Sequence, residues 1–254
     1  MADFSLTLNE DQQQLQDWIH GFAKDVIRPA APEWDEREEF PWPIVQEAAK
    51  VGLYGWEFLM NAFSDPSALT LPVAVEELFW GDAGIGMAIM GSSLAAAGIS
   101  GNGTPEQVME WVPQCYGDAD NVQLGAFCVS EPDAGSDVSS LRTRAVYDEA
   151  NDEWVLNGTK QFITSGGKAD LAIVFAVTDP DAGKKGISAF LVPTKTEGWT
   201  VARVEKKLGL NASETCQIQM DELRLEPELM LGKEGEGYRI ALANLEGGRI
   251  GIGA

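Results

Sequence analysis

The most chemically suggestive part of the sequence is the stretch at residues 124–137, which reads LGAFCVSEPDAGSD. Its first half has the apolar character of a strand, and its second half is a polar loop that contains proline and glycine. Such a loop can present backbone amides and the hydroxyls of Ser130 and Ser136 to phosphate groups. Gly135 would let the backbone approach a ligand closely. Taken alone, a strand with a capped turn explains the same residues.

Other common catalytic groups are scarce in this chain. His20 is the only histidine, so the chain by itself holds neither a Ser-His-Asp triad nor a multi-histidine metal site. His20 lies on an apparent amphipathic helix, which favours a packing or surface role. Cys115, Cys128 and Cys216 are far apart, and their spacing predicts neither a disulfide framework nor a metal site.

Charge and hydropathy restrict the classes of partner. The chain has 254 residues, with 40 acidic against 18 basic side chains and a net charge of -22. A surface this acidic argues against nucleic-acid binding, and an anionic ligand would need a local basic exception. We recognise no transmembrane span and no secretory signal, so we expect a cytoplasmic protein that does not bind membranes.

Helical patterns occupy the first part of the chain. An apolar stripe at steps of three and four predicts a helix around residues 15–26. A second helix is predicted over residues 44–51, ending at Gly52, and a buried third helix over residues 68–80. Thr104 is predicted to cap a further helix through a capping box.

Strand patterns follow from about residue 122. Residues 153–156 and 160–164 flank Asn157 and Gly158, and Asn-Gly between two strand runs predicts a β-hairpin. Further strands are predicted over residues 171–178, 187–193 and 215–220.

These patterns together predict an α+β fold. We expect an all-helical amino-terminal domain over residues 1–122 and an antiparallel, β-barrel-like middle domain over residues 123–235. A helical pattern returns at Gly237, so residues 236–254 are expected to begin a carboxyl-terminal helical bundle. A helix this apolar needs packing partners, which would come from a continuation of the chain or from another chain.

Four segments, in this order, resemble the acyl-CoA dehydrogenase family. The first is the stretch at residues 124–137 and the second is WVLNGTKQFITSGGKADLAIVFA at residues 154–176. The third joins residues 186–193 to residues 206–242, and the fourth is LEGGRIGIGA at residues 245–254. The resemblance covers essentially the whole chain, including the amino-terminal helices.

The resemblance implies a flavoprotein that binds FAD between these motifs. It places Phe162, Ile163 and Thr164 against the isoalloxazine ring, where an aromatic edge shields the ring and a hydroxyl or amide can hydrogen-bond it. The implied FAD contacts are Phe127, Val129, Ser130, Gly135, Ser136, Phe162, Ile163 and Thr164. The implied contacts to the CoA substrate are Ser136, Glu246 and Arg249.

The family's reaction is the oxidation of an acyl-CoA to its trans-2-enoyl-CoA. A carboxylate removes the α proton while hydrogen bonds hold the thioester oxygen. Some members carry this base where the present chain has Gly248, which cannot act as one. We therefore assign no catalytic residue, expect the base beyond Ala254, and expect a structural role for Glu131. The resemblance also implies a homotetramer, a role in fatty acid β-oxidation and an electron-transfer flavoprotein as electron acceptor.

Two other interpretations stay open. The protein could be an acyl-CoA oxidase or a flavin monooxygenase-like member of the same fold, or a non-catalytic subunit of a heteromeric acyl-CoA dehydrogenase complex. Residues 57–69 lack the glycine-rich loop that is frequent in the family, and Asn211 replaces a frequent arginine. Gly86 and Met90 predict a roomy, deformable wall for a bulky or long acyl chain.

Overall fold

The computed structural model describes residues 7–254, and within them eight α-helices precede the first strand. They are α1 Glu10–Phe22, α2 Arg28–Arg37, α3 Trp42–Lys50, α4 Trp56–Phe63, α5 Thr70–Gly81, α6 Ala83–Met90, α7 Ser93–Asn102 and α8 Pro105–Gln114. A π-helical turn, Ala23–Ile27, joins α1 to α2. The all-helical character predicted for the first part of the chain is confirmed.

Eight strands and a final helix make up the rest of the described chain. The strands are β1 Gly125–Cys128, β2 Arg144–Asp148, β3 Glu153–Thr164, β4 Leu171–Val177, β5 Ile187–Pro193, β6 Trp199–Val204, β7 Thr215–Leu225 and β8 Met230–Leu231. Helix α9 spans Gly237–Gly253 and begins at the glycine where the sequence predicted the return of helix.

Side-chain caps explain where two of the helices begin. Asn9 accepts a hydrogen bond from the Gln12 amide, and the Gln12 side chain accepts one from the Asn9 amide. Thr104 and Gln107 repeat this reciprocal arrangement at the start of α8, as predicted. Each capping box satisfies backbone N–H groups that a helix start leaves unpaired.

The strands form one sheet in the order β6-β7-β3-β2-β4-β5-β8, with β1 also paired to β4. Most neighbours are antiparallel, but β1 runs parallel to β4, and β2 meets the end of β4 in parallel through Arg144 and Val177. The predicted sheet-containing middle part of the chain is confirmed, although the sheet is not a closed barrel. Strands β4 and β5 are buried along nearly their whole length and form its core.

The predicted hairpin at Asn157 and Gly158 is wrong. Strand β3 continues through both residues, with a bulge opposite β7 at this point. The Asn157 side chain pairs with Glu222 through two hydrogen bonds of 2.8 Å, which holds this position within the sheet. The turn into β3 lies earlier, between Asp148 and Glu153, where the chain reverses after β2.

The described chain divides into two compact units. One unit comprises the residues up to Met90 together with Lys207–Ser213 and Gly248–Ala254, and its core is helical. The other comprises Gly91–Lys206 and Glu214–Gly247 and contains the sheet. The domain boundaries at residues 122 and 235 stay a prediction, although the type of secondary structure changes near both.

One stretch, Ala83–Asn102, is long and apolar enough to cross a membrane by length and composition alone. The stretch has 20 residues and a mean hydropathy of 1.5 over its most apolar window, in contrast to the expectation of no transmembrane span. Over half of that window, 56%, is buried inside the protein. Because the core helix of a globular protein passes the same test, this stretch is weak evidence for a membrane span.

Candidate functional site

The loop that follows β1 folds back on itself and leaves its tip open. The Glu131 amide bonds the Ala134 carbonyl at 3.0 Å, and the Ala134 amide bonds the Glu131 carbonyl at 3.1 Å. Beyond this turn Gly135 and Ser136 are exposed, with no neighbouring atom within 4 Å of the place where a Gly135 side chain would begin. The loop therefore has room for a ligand next to bare backbone.

Asp137 ends the loop by capping a short 3-10 turn, Val138–Ser140. Its carboxylate accepts a hydrogen bond from the Ser139 amide at 3.1 Å and from the hydroxyls of Ser139 and Ser140. The hydroxyl of Ser139, then that of Ser140, lowers the pKa of Asp137 below its ordinary value. These hydrogen bonds make Asp137 the cap of the 3-10 turn.

Strand β3 carries the second part of the site at a bulge opposite β7. The register shifts between Lys160 and Ile163, and Phe162 lies in this gap with a φ of 60°. A bulky side chain rarely adopts left-handed backbone, which costs of order 1–3 kcal/mol and is frequent at ligand sites. The Phe162 ring is 66% exposed, whereas Ile163 is buried and Thr164 is partly exposed. The bulge thus turns an aromatic ring out to the surface.

The structure brings the loop and the bulge together. The Gln161 amide donates to the Ser130 carbonyl at 2.8 Å, so Ser130 lies beside the residue that precedes Phe162. Ser130 is partly exposed. The two motifs, 31 positions apart in sequence at Ser130 and Gln161, therefore meet beside the bulge of β3.

Two of the predicted FAD contacts have buried side chains. Val129 and Ile163 are almost completely enclosed, so they could reach a ligand only through main-chain atoms. Phe127 packs edge-to-face on Phe175, with ring centroids 5.0 Å apart. Its partly exposed ring belongs mainly to the packing of β1 on β4.

Beneath the loop lies an ion pair that the sequence analysis missed. The Nζ atom of Lys160 is 2.7 Å from Oε1 of Glu131, and the two side chains are 0% and 5% exposed. Burial alone would raise the pKa of Glu131, but the charge and hydrogen bond of Lys160, with the donors at Thr143 and Arg142, hold that pKa below its ordinary value. The carboxylate is thus ionised and structural, as expected for Glu131.

The alternation of buried and exposed positions along β3 indicates that Lys160 points inward. Trp154, Leu156 and Lys160 are all buried and share the parity of side chains on one face of β3. A lysine at an inward position of a strand needs a buried partner of opposite charge. The hairpin prediction hid the pattern, because it placed a turn between Leu156 and Lys160.

The predicted substrate contacts lie on helix α9 and at the loop tip. Glu246 and Arg249 both have exposed side chains, as does Ser136 in the loop. Exposed apolar residues accompany them on the helix, namely Leu242, Ile250 and Ile252.

Of the two residues predicted to form a roomy acyl wall, Gly86 and Met90, Gly86 does not open space. A side chain added at Gly86 would begin 2.7 Å from the ring of Phe79, so this ring already fills the space. Gly86 is therefore a close-packing position between α5 and α6 and does not enlarge a pocket.

Among the described residues, the cysteines, the histidine and the potential metal ligands do not form a catalytic or metal site. Burial raises the pKa of the Cys115, Cys128 and Cys216 thiols to about 12, so all three are protonated at neutral pH. His20 lies 2.7 Å from Glu77 and stacks on Trp80, a packed arrangement consistent with its expected structural role. Among residues 7–254 no group of three or more metal-binding side chains occurs.

Comparison with known proteins identifies the family. Residues 9–117 match the model of the acyl-CoA dehydrogenase N-terminal domain, and residues 126–223 match that of the acyl-CoA dehydrogenase middle domain. An acyl-CoA dehydrogenase of Bacillus subtilis is 39% identical over 251 residues, which cover 97% of this chain and 64% of the relative. The present chain thus spans slightly under two thirds of that relative's length.

Solved structures agree with the sequence comparisons. The butyryl-CoA dehydrogenase of Megasphaera elsdenii superposes with a TM-score of 0.85 at 36% identity, over 98% of this chain and 65% of that one. A glutaryl-CoA dehydrogenase of Mycobacterium smegmatis, in complex with FADH2, gives 0.81 at 32% identity, over 96% of this chain and 61% of that one. Since sequence models, relatives and fold agree along nearly all of its length, the chain belongs to the acyl-CoA dehydrogenase family.

Proposed function

We propose that this chain is the flavin-binding part of an enzyme that uses FAD to oxidise an acyl-CoA thioester to the trans-2-enoyl-CoA. The observation that carries the proposal is the exposed ring of Phe162, held in left-handed backbone beside Ser130. An outward aromatic ring next to open backbone and hydroxyl groups suits a ligand that combines a flat ring with phosphates.

The residues present fit FAD. The Phe162 ring offers an apolar face, and the partly exposed Thr164 offers a hydroxyl two residues further along the strand. The open backbone at Gly135 and the Ser136 hydroxyl offer donors for phosphate oxygens. When bound, FAD would supply the acceptor for the hydride that leaves the β carbon.

The two acidic residues at the proposed FAD surface do not supply the base for the reaction. Asp137 and Glu131 are engaged in structural hydrogen bonds, so neither is free to take the α proton. We therefore assign the catalytic base to neither of these two residues. The M. elsdenii structure is that of a butyryl-CoA dehydrogenase, which favours a short acyl chain.

The remaining implications of family membership are also proposals. We propose a homotetramer, with a heteromeric complex as the second choice, and an electron-transfer flavoprotein as electron acceptor. A place in fatty acid β-oxidation fits the proposed reaction. The cytoplasmic location stays a prediction.

The complete protein is expected to purify yellow, with FAD bound, and to lose its flavin absorbance when butyryl-CoA is added without oxygen. Phe162→Ala should raise the FAD dissociation constant about tenfold, because an aromatic contact of about 1–1.5 kcal/mol is removed. Fluorescence titration of the FAD-free protein measures this. Phe63→Ala, which removes an exposed ring on α4, serves as the matched control.

A protein that stays colourless after reconstitution with FAD would refute the proposed function. A flavoprotein that butyryl-CoA does not reduce would favour a non-catalytic subunit. Rapid reoxidation by oxygen during turnover would favour an oxidase.

Arg249→Ala is expected to raise the KM for the acyl-CoA while flavin content stays unchanged. Bringing a polyanionic CoA thioester to a protein of net charge -22 requires local positive charge, and the Arg249 fork can supply paired donors. Loss of charged hydrogen bonds of roughly 1.5–3 kcal/mol corresponds to a KM increase of about 10- to 150-fold.

Steady-state kinetics with butyryl-CoA measures the effect. Arg37→Ala removes the same charge from an exposed arginine that pairs with Glu33 and Glu39, and should leave KM unchanged. If KM of the Arg249 variant stays within about twofold of wild type, Arg249 is a surface residue without a role at the CoA.

A further inference from the structure

We propose that Glu131 and Lys160 form a positioning pair, which fixes the loop at residues 130–137 onto strand β3 before FAD binds. The inference rests on the proposed function, because the surface ordered by the pair is the proposed FAD surface. Neither charged group is assigned a contact with FAD or substrate. Their role is to set the position of the residues that make those contacts.

Three consecutive residues at the entry to the loop, Val129 to Glu131, are attached to two consecutive residues of β3. The Lys160 Nζ donates to the Val129 carbonyl at 3.2 Å and to Glu131 Oε1 at 2.7 Å. Between these contacts, the Gln161 amide donates to the Ser130 carbonyl at 2.8 Å. A shift of the loop relative to the strand would break all three hydrogen bonds together.

The Glu131 carboxylate also ties down the segment that leaves the loop. It accepts hydrogen bonds from the Arg142 amide at 2.6 Å and from the Thr143 amide at 3.0 Å. Its own main chain is paired with Ala134 in the turn. One side chain thus joins the entry to the loop, its exit and the strand beneath it.

The same pair lies directly before the bulge of β3 that turns Phe162 outward. Lys160 is the last residue of β3 in register with β7 before the bulge, and Gln161 and Phe162 follow it directly. The Gln161 side chain donates to the partly buried Glu205, which fixes the bulge from its other side. Loop and ring are therefore positioned by one local set of buried polar contacts.

Because the ion pair is buried, positioning the loop and stabilising the fold are separate effects that can be measured separately. A buried ion pair adds little stability over uncharged residues of similar size, because the desolvation of both charges opposes their attraction. Its geometry is nevertheless demanding, since both groups need hydrogen bonds from fixed directions. Replacing both charges together should therefore leave the fold stable and loosen the loop.

The test uses the complete protein with the double variant Glu131→Gln/Lys160→Met, which removes both charges and keeps a carbonyl acceptor for one of the two amides, Arg142 or Thr143, that Glu131 binds. We expect its unfolding midpoint without FAD to stay within about 5 °C of wild type. We expect its FAD dissociation constant to rise about tenfold or more, because binding must then order the loop. At saturating FAD, kcat should return to within about threefold of wild type.

A second measurement needs neither FAD nor substrate. In the FAD-free double variant, the amides of Glu131 and Ala134 should exchange with solvent about tenfold faster or more, while those of Leu171–Val177 in β4 stay as protected as in wild type. Arg224→Met is the matched control, because it removes an exposed ion-paired charge from β7 and should change neither exchange nor FAD affinity. If the double variant does not fold, Glu131→Gln/Lys160→Gln, whose two uncharged amide side chains can still hydrogen-bond each other, carries both measurements.

Unchanged FAD affinity together with unchanged exchange in the loop would overturn the proposal. Exchange that increases equally in the loop and in β4 would also overturn it, because it would show a general loss of stability. A wild-type protein that takes up no FAD would instead refute the proposed function. If the wild-type protein binds FAD and the double variant binds it equally well, the positioning proposal fails while the proposed function stands.

Discussion

Replacing Lys160 alone by methionine is expected to lower the free energy of unfolding at pH 7 by about 3–5 kcal/mol. The substitution leaves the Glu131 carboxylate, 5% exposed, without its ammonium partner. The unpaired charge must then stay buried at a cost, become protonated, or draw the loop open to water. Urea denaturation of the FAD-free complete protein measures the change.

The contribution of Glu131 to the free energy of unfolding should depend on pH in opposite directions in the wild-type protein and in Lys160→Met. In the wild-type protein the pKa of Glu131 is lowered, so its contribution to stability is present above the unfolded-state pKa of about 4.3 and is lost as pH falls through the lower folded value. In Lys160→Met the buried carboxylate should have a raised pKa, so the folded variant binds the extra proton and gains stability as pH falls. The difference between the two proteins should therefore narrow from pH 7 to pH 5.

Lys195→Met provides the matched control. Lys195 pairs with Asp170 at 3.5 Å but is 88% exposed, so its replacement should change the free energy of unfolding by no more than about 0.5 kcal/mol. A loss below about 1 kcal/mol for Lys160→Met, or a difference from wild type that does not change with pH, would contradict the prediction.

Gly158→Ala is expected to destabilise the protein by about 3 kcal/mol. Gly158 has a φ of +155°, and an added side chain would begin 2.5 Å from Oγ1 and 2.7 Å from Cα of Thr143. The methyl group would therefore meet both a strained backbone conformation and a neighbouring main chain that cannot move freely. Thermal and urea denaturation of the FAD-free protein measure the loss.

Gly21→Ala is the same substitution in a different setting. Gly21 lies within α1 with no atom within 4 Å of the added side chain, so alanine should stabilise the helix by about 0.5–1 kcal/mol. Opposite signs for the two variants are expected. A loss at Gly158 below about 1 kcal/mol would show that the bulge accommodates a side chain and that Gly158 is not required there.

Local sequence signals identified much of the fold. The capping box at Thr104, the strand over Ile187–Pro193 and the helix that begins at Gly237 all agree with the predictions. These signals succeed because helix caps and hydrophobic periodicity depend on residues only a few positions apart. The loop motif and the Phe162 motif were found by family resemblance in the same way, as short strings.

Local signals failed where a distant partner decides the conformation. Asn157 and Gly158 have the composition of a tight turn, but Glu222 pairs with Asn157 and the Thr143 backbone lies against Gly158. Glu222 arrives only when β7 pairs with β3, and Thr143 only when β2 pairs with β3, so the sheet overrides the local preference for a turn. The space at Gly86 was misjudged for the same reason, because its neighbour Phe79 is placed by helix packing.

The sequence by itself determined the order of the elements, the family and the two motifs that are proposed to hold FAD. Only the tertiary structure decided which residues of those motifs face outward and which hold them in place. Lys160 and Glu131 are 29 positions apart, and their pairing depends on the register of β3 and on the path of the loop after β1. Register is a property of the assembled sheet, and a shift of one residue would turn Lys160 to the opposite face. The buried charge pair and the outward turn of Phe162 therefore become visible only once the strands are paired.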